Sequence, residues 1–572
     1  VLRQNYIAEM SAILALVAIN LAVFMPALSG DFIWDDKYFV ADNQLILGPN
    51  FFKQVLLTPY GGPAGFDENS LILGRAINFY RPLTSLSYWI DHKIWGLNPA
   101  GFHLSNILIH SIAAIILYLI LKLWGWDYLW AFMTSLLFLV FPPHFENVAW
   151  ISGRTDLVCF SFGALSIFFA SLFLKKMSFF WLITSSIFFL CSLLSKETAI
   201  LLPIIFFVFF WLKEKSILKS FYKGLIFLPA FLIWFLLRQY TLGTENLKFT
   251  ERNFADFVAT LGFYVSRTIY PFNMSVTVDS QRVFDNKLYL IVGSGFILAL
   301  FVLSVVYYSK RTGMALCIWI ISYLVLLLPS IIIIFLPSTV SYIGWRFLYW
   351  PSAAALIGLM YFAKKLIRNK FAVLILVIIL ACFYTIELYP RAALFGKNEK
   401  DFWLAIKDIE NEDILARFNI GFQYLSIDEE KALGIFENII NDRHHHMHDA
   451  CEMRIYEELA EFYTFKKDFE KAKRYFDFLF RKRPVQSLHT YFNYSYFLAF
   501  QGQKEKGEKY INEMLRLFPE NHLVLVHTAN FYLLLKDYSK AMEYFIKDYK
   551  LFPNEKTKMF LAQIEAEIKG KN

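Results

Sequence analysis

The sequence predicts an all-α protein in two parts, a polytopic membrane domain over residues 1–395 and a soluble α-solenoid over 404–572. Three observations predict it. Hydrophobic residues make up 57% of the chain and charged ones only 18%, a balance that no soluble core of this size needs. The apolar residues gather before about residue 390 into separate stretches, each long enough or nearly long enough to cross a bilayer. From about residue 404 the pattern changes to soluble helices carrying a repeat of 34 to 35 residues.

The apolar stretches lie at about 7–28, 104–123, 128–143, 157–174, 179–194, 198–212, 222–237, 288–308, 313–335, 346–363 and 371–388, which makes eleven. The first is followed by no clear small-residue cleavage site and reads as a signal anchor. Basic residues fall in every second connection: Lys122, Lys175-Lys176, Lys213 to Lys223, Lys310-Arg311, and Lys364 to Lys370. Short cytoplasmic loops accumulate Lys and Arg, so the alternation assigns these connections to the cytoplasm. The other loops and the whole C-terminal part are then expected outside it, on a multi-pass protein of a bacterial inner membrane or an endoplasmic reticulum.

Two of those other loops are long. Residues 29–103 are rich in aromatic and apolar side chains and are expected to fold, with helices over 50–57 and 83–95 lying in the interface. Residues 238–287 have a similar character. In the C-terminal part, Pro484, Pro519 and Pro553 close successive units. Twelve residues before each comes a small residue (Ala472, Gly507, Ala541), and twelve further back another (Ala460, Ser495, Ala529). Small residues let the two helices of a unit approach closely, and proline ends the second helix. The pattern is that of tetratricopeptide repeats at 453–486, 488–521 and 522–555, with a divergent unit around Ala432 before them. Stacked helical pairs make a concave surface suited to holding a protein.

The net charge of +8 does not point to nucleic acid, because the bases fall between spans, and no phosphate-binding loop or dinucleotide fingerprint is present. The five cysteines give no disulfide framework. Chemistry is expected where polar groups gather at one end of the spans. Asp35 and Asp36 follow the first span, and charges at that depth are costly enough to suggest function. Tyr80-Arg81, His144 to Asn147, Arg154 to Asp156, Lys196-Glu197 and Arg346 occupy the loops assigned to the same side. Arg81, Arg154, Lys196 and Arg346 are candidates to hold a lipid phosphate, although arginine also anchors helices at the headgroups. His144 lacks partners at the spacing of a standard metal site and reads as a loop histidine, and His444-His445-His446 with His448 as a solvated turn.

The ordered set FIWDD, YRPLTSLSYWID with GFHLSNILIH, HFENVAWISGRTDL, LLSKETAI and WRFLYWPS, followed by the appended repeats, resembles the transmembrane and tetratricopeptide-repeat O-mannosyltransferase-like proteins. These lie within the GT-C superfamily of polyprenyl-phosphate-sugar-dependent glycosyltransferases. The likeness covers nearly the whole chain, with Pro142-Pro143-His144 standing where the family pattern has His-Pro. It implies an inverting transfer of a single sugar, mannose or similar, from a polyprenyl-phosphate donor to Ser or Thr of an exported or membrane protein. Asp35 would be the catalytic base and Asp36 the second acid. Arg81, Lys196 and Arg346, with Arg154 behind them, would stabilise the departing phosphate. Glu146, Asp156, Glu197, His144 and Tyr80 would position substrates. No obligatory metal or other cofactor is expected, because a phosphate leaving group needs less help than a pyrophosphate. The partners expected are the lipid bilayer, the lipid-linked sugar, and an acceptor protein recruited by the repeats. Transfer to a glycolipid or polysaccharide, and a non-catalytic scaffold in envelope assembly, are the other readings the residues allow.

Overall fold

The computed structural model describes residues 2–60, 79–243, 253–307, 311–335, 343–407, 409, 412–442, 449–482, 487–551 and 561. Among them every regular element is a helix and none is a strand. Within the described residues each of the eleven apolar stretches is helical, most of them one helix with or without a short 3₁₀ turn, while 222–237 crosses from Ile217–Gly224 into Leu228–Leu242 and 128–143 runs past Tyr128–Leu139 into a break. Among the described residues five helices are long and apolar enough to cross a membrane: Ile7–Ser29, Pro99–Leu123, Ile151–Lys176, Ile217–Leu242 and Lys370–Leu394. A sixth arises if Tyr128–Leu139 and Pro142–Val148, bent by 57° between them, form one broken span. The break has a local cause. Pro142 and Pro143 supply no amide donors, and their rings clash with the preceding turn.

Contacts divide the chain into two compact units, Val1–Ile427 and Asp428–Asn572. Residues 404–427, expected with the repeats, group with the first unit. Glu412 receives the amides of Val276 and Thr277 at 2.9 and 2.6 Å, and the Asp413 amide donates to the Thr277 hydroxyl at 3.0 Å.

Within the first unit, the described residues of the loop after the first span, 29–60 and 79–103, carry helices and a buried apolar core. Helices Phe51–Gln54 and Pro82–Trp95 form in it, and Phe32, Phe39, Val40, Ile46, Tyr60 and Tyr88 pack with Phe102 and Ile151 into a buried core. Each such side chain removed from water contributes about 1.5–3 kcal/mol, enough to hold a loop of this length firmly against the helices that frame it. The 238–287 loop likewise contains a helix, Phe254–Ile269, started by a reciprocal cap between Asn253 and Asp256.

The second unit stacks helical pairs: Asp449–Phe465 with Phe469–Lys482, Leu488–Phe500 with Lys504–Leu517, and His522–Leu534 with Tyr538–Leu551. The small residues that define the repeat, Ala460, Ala472, Ser495, Gly507, Ala529 and Ala541, are all buried. Ala432 is buried in the preceding helix Glu429–Asn441. Pro519 follows the end of its helix; Pro484, Pro553 and the histidines 444–446 and 448 lie outside the described residues.

Candidate functional site

The acidic pair sits at a sharp change of chain direction. Trp34 adopts φ +53°, a left-handed conformation that a bulky side chain rarely takes, and the helical turn carrying Asp35 and Asp36 begins immediately after it. The turn sends the two carboxylates to different fates. Asp36 is fully buried and accepts from the amide of Ile33 at 3.2 Å and from the amide and hydroxyl of Ser152 at 2.8 and 2.5 Å. Asp35 is half-buried, and its charge acts on both Asp36 and Arg346.

Burial pushes the Asp36 carboxyl up to about 7; the hydrogen bonds from Ser152 and Ile33 pull against that rise, and the charge of Asp35 adds to it. An unfolded aspartate releases its proton near pH 4, so the folded chain loses stability relative to the unfolded one as pH rises from about 4 to about 7. Asp36→Asn removes that dependence. Thermal unfolding of both proteins in detergent is expected to show the wild type losing ground to the variant across this window and no further change above it.

Three cations, among them the Arg346 on which Asp35 acts, are each held by an acid from another part of the chain. The Arg81 guanidinium grips Glu197 with two parallel bonds, Nε to Oε2 at 3.1 Å and Nη2 to Oε1 at 2.5 Å, and lies over the ring of Phe79. The Lys196 ammonium reaches both oxygens of Asp156 at 2.7 and 2.8 Å and faces the ring of Phe347. Arg346 pairs with Glu146 through its guanidinium, while its backbone amide donates to the same carboxylate at 2.8 Å. Burial draws the Lys196 ammonium below its ordinary pKa, and Asp156 opposes that shift. The pairs sense one another: Asp156 acts on Arg81 and Arg346, and both of these act on Lys196. Three positive and three negative groups thus form one neutral network beside Asp35.

A cleft opens at this network. Its lining is mixed: Asp156, Thr198, Ser330 and Arg346 are polar, and Ala199, Leu202, Leu326, Phe347 and Trp350 are mainly apolar.

The backbone that presents these groups is tightly constrained. After the Pro142-Pro143 break, two short turns bring Glu146 and Ser152 round to the N-terminus of Arg154–Lys176. Gly153 passes so close to the Glu146 carbonyl that an added Cβ would lie 2.2 Å from that oxygen.

Three of the expected site residues stand apart from the network. The Arg154 side chain is 0% exposed and fully engaged by protein: Asp91 and Asn106 at 2.5 Å, the Phe102 carbonyl at 2.8 Å, the Ser87 carbonyl at 3.3 Å, and the face of Tyr88. His144 is buried, bonded through Nε2 to Ser352 at 2.9 Å and packed against Tyr349. Tyr80 donates its hydroxyl to the Leu56 carbonyl at 3.0 Å. Among the described residues no three His, Cys, Asp or Glu side chains gather into a metal-binding group.

Sequence reasoning did not single out Ser152, Phe347 or the aromatic group Trp34, Trp150 and Trp403. Trp34 stacks on Trp150 with ring centres 5.0 Å apart and meets the edge of Trp403 at 5.7 Å. The tryptophan beside the acidic pair was the one available signal.

Relatives of this chain are named as protein O-mannosyl-transferases. Over 221 residues it is 33% identical to protein O-mannosyl-transferase TMTC2 of Homo sapiens, a match covering 36% of this chain and 25% of that protein. It is 29% identical over 160 residues to protein O-mannosyl-transferase F38B6.6 of Caenorhabditis elegans, covering 27% and 22%. It is 32% identical over 164 residues to protein O-mannosyl-transferase TMTC4 of Mus musculus, covering 26% and 21%. The matches thus span about a quarter of the length of these curated relatives. No family model matches the chain.

Proposed function

We propose that this chain is a membrane glycosyltransferase that moves a single sugar, mannose or a close relative, from a polyprenyl-phosphate donor to Ser or Thr of an exported or membrane protein. The observation that carries the reading is the half-buried Asp35, whose charge acts on Arg346, near a network of three cation–acid pairs of which Lys196 with Asp156 is buried and the other two are partly exposed. The similarity to O-mannosyl-transferases over about a third of the chain supports it.

In this reading Asp35 takes the proton of the acceptor hydroxyl as its oxygen attacks the anomeric carbon from the face opposite the phosphate. The bond from the anomeric carbon to the phosphate oxygen breaks, and the configuration inverts. Negative charge grows on the departing polyprenyl phosphate. Lys196, Arg346 and Arg81 stabilise it from fixed positions, because the pairs with Asp156, Glu146 and Glu197 have already oriented them in a site partly closed to water. Glu146, Asp156 and Glu197 balance the charge of those cations when no donor is bound, and Asp156 also opposes the loss of the Lys196 proton on burial. The charge alternation along the chain supports a site and repeats outside the cytoplasm, where an exported acceptor protein would meet the repeats. Arg154, His144 and Tyr80 act through the fold, not on the substrate.

The full chain in liposomes, given polyprenyl-phosphate mannose and a Ser/Thr-rich peptide pool, is expected to add one hexose mass to hydroxyl-bearing peptides. Sugar appearing on lipid or polysaccharide with none on peptide would overturn the acceptor assignment, and no transfer to any acceptor would overturn the enzyme.

A further inference from the structure

The turn that presents Asp35 is gripped by a segment more than 360 residues away, the stretch following the last apolar helix. The Ser29 hydroxyl donates to the Gly396 carbonyl at 3.0 Å, and the Asp31 amide to the Lys397 carbonyl at 3.3 Å. Gly30 lies so close that an added Cβ would sit 2.0 Å from the Phe395 carbonyl oxygen. Asn398 caps the short helix Glu399–Leu404, and Glu399 stands in its first turn. One oxygen of Glu399 accepts the backbone amide of Trp34 at 3.3 Å, and the other pairs with Lys37, so a single carboxylate brackets Asp35 and Asp36 from both sides. Trp403, on the same helix and 1% exposed, closes against the edge of Trp34.

We propose that Glu399 is a positioning residue for the transfer: its bond to the Trp34 amide, backed by Trp403, holds Trp34 in its left-handed conformation and so fixes the direction in which Asp35 enters the site. A non-glycine residue is strained in that region and persists there only where the surroundings impose it. Here Trp150 and Trp403 clamp the side chain, but the Glu399 carboxylate is the described partner of the Trp34 amide. Without that acceptor, the turn relaxes and Asp35 moves. The inference rests on Asp35 being the base.

Two measurements on the full chain in detergent or liposomes test it. Hydrogen exchange followed by mass spectrometry over residues 30–41 is expected to speed up by about tenfold or more in Glu399→Ala, as the local opening free energy falls. It should stay near wild type in Glu399→Gln, whose amide oxygen still accepts the Trp34 N–H. It should also stay near wild type in Lys37→Met, which leaves that bond intact. For transfer from polyprenyl-phosphate mannose to a Ser/Thr peptide, Glu399→Ala is expected to lose about 100-fold in kcat through misplacement of the base. Its KM for the donor should change by less than about threefold, because donor contacts are untouched. Glu399→Gln should restore the rate. Wild-type exchange in Glu399→Ala, or a Gln variant as impaired as the Ala variant, overturns the proposal. Asp35→Asn measured alongside separates the two ideas: a fully active Asp35→Asn overturns the base, while the exchange data still decide whether Glu399 holds the turn.

Discussion

Asp35→Asn is expected to lower sugar transfer by about 100- to 10,000-fold while the protein folds and binds donor as before. Asn keeps the size of the side chain and one hydrogen-bond acceptor, but it cannot take a proton from the attacking hydroxyl. The neighbouring substitution has a different expected result. Asp36 accepts three bonds inside the protein, two at one oxygen from Ser152 and one at the other from Ile33. In Asp36→Asn the amide group must turn a donor toward one of those donors, leaving a buried group unsatisfied at a cost of about 1–3 kcal/mol. Its signature is a lowered thermal midpoint, with residual activity that follows the folded fraction. Initial rates and unfolding of both variants in the same membranes decide the matter. A normally folded, fully active Asp35→Asn together with a dead but stable Asp36→Asn would exchange the two roles.

Arg154→Met is expected to destabilise the first unit by about 3–5 kcal/mol, because it strands the buried carboxylate of Asp91 without its cation. Asn106 and the Phe102 carbonyl lose partners at the same time. Had Arg154 bound the donor phosphate, the variant would instead fold normally and show a raised KM for the donor. The double substitution Arg154→Met with Asp91→Leu sharpens the test. Replacing both members of a buried pair with apolar groups is often close to neutral, so most of the lost stability should return. Thermal unfolding of the single and double variants supplies the comparison, and an unchanged midpoint in Arg154→Met would refute the structural role.

Arg154 and Lys196 illustrate where reading the chain alone stops. Both are basic residues in short loops beside an acid, and by residue type either would suit a phosphate. The fold separates them. Arg154 opens a helix that packs along the helix carrying Phe102 and Asn106, so its guanidinium is used up inside the protein. Lys196 and its partner Asp156 belong to the network at the cleft. Glu399 is a stronger case. Its charge is unremarkable in the chain, and only the approach of residues 395–403 to residues 29–37 gives it a role.

The sequence by itself determined the all-α class, the approximate position of the apolar helices, the helices of the first loop and the helical pairs of the repeat, while the bend at Pro142-Pro143 emerged only in the structure. The features read from the sequence rest on local quantities: the length and hydropathy of a stretch, the missing amide of proline, and the spacing of small residues that lets two neighbouring helices touch. Only the tertiary structure decided which acid meets which base. Arg81 and Glu197 are 116 residues apart and Arg346 and Glu146 are 200 apart, and no local property encodes such a pairing. It likewise decided that Asp36 is buried while Asp35 stays half-buried, because successive residues of a helical turn point about 100° apart and only the packing around the turn fixes which of the two faces inward.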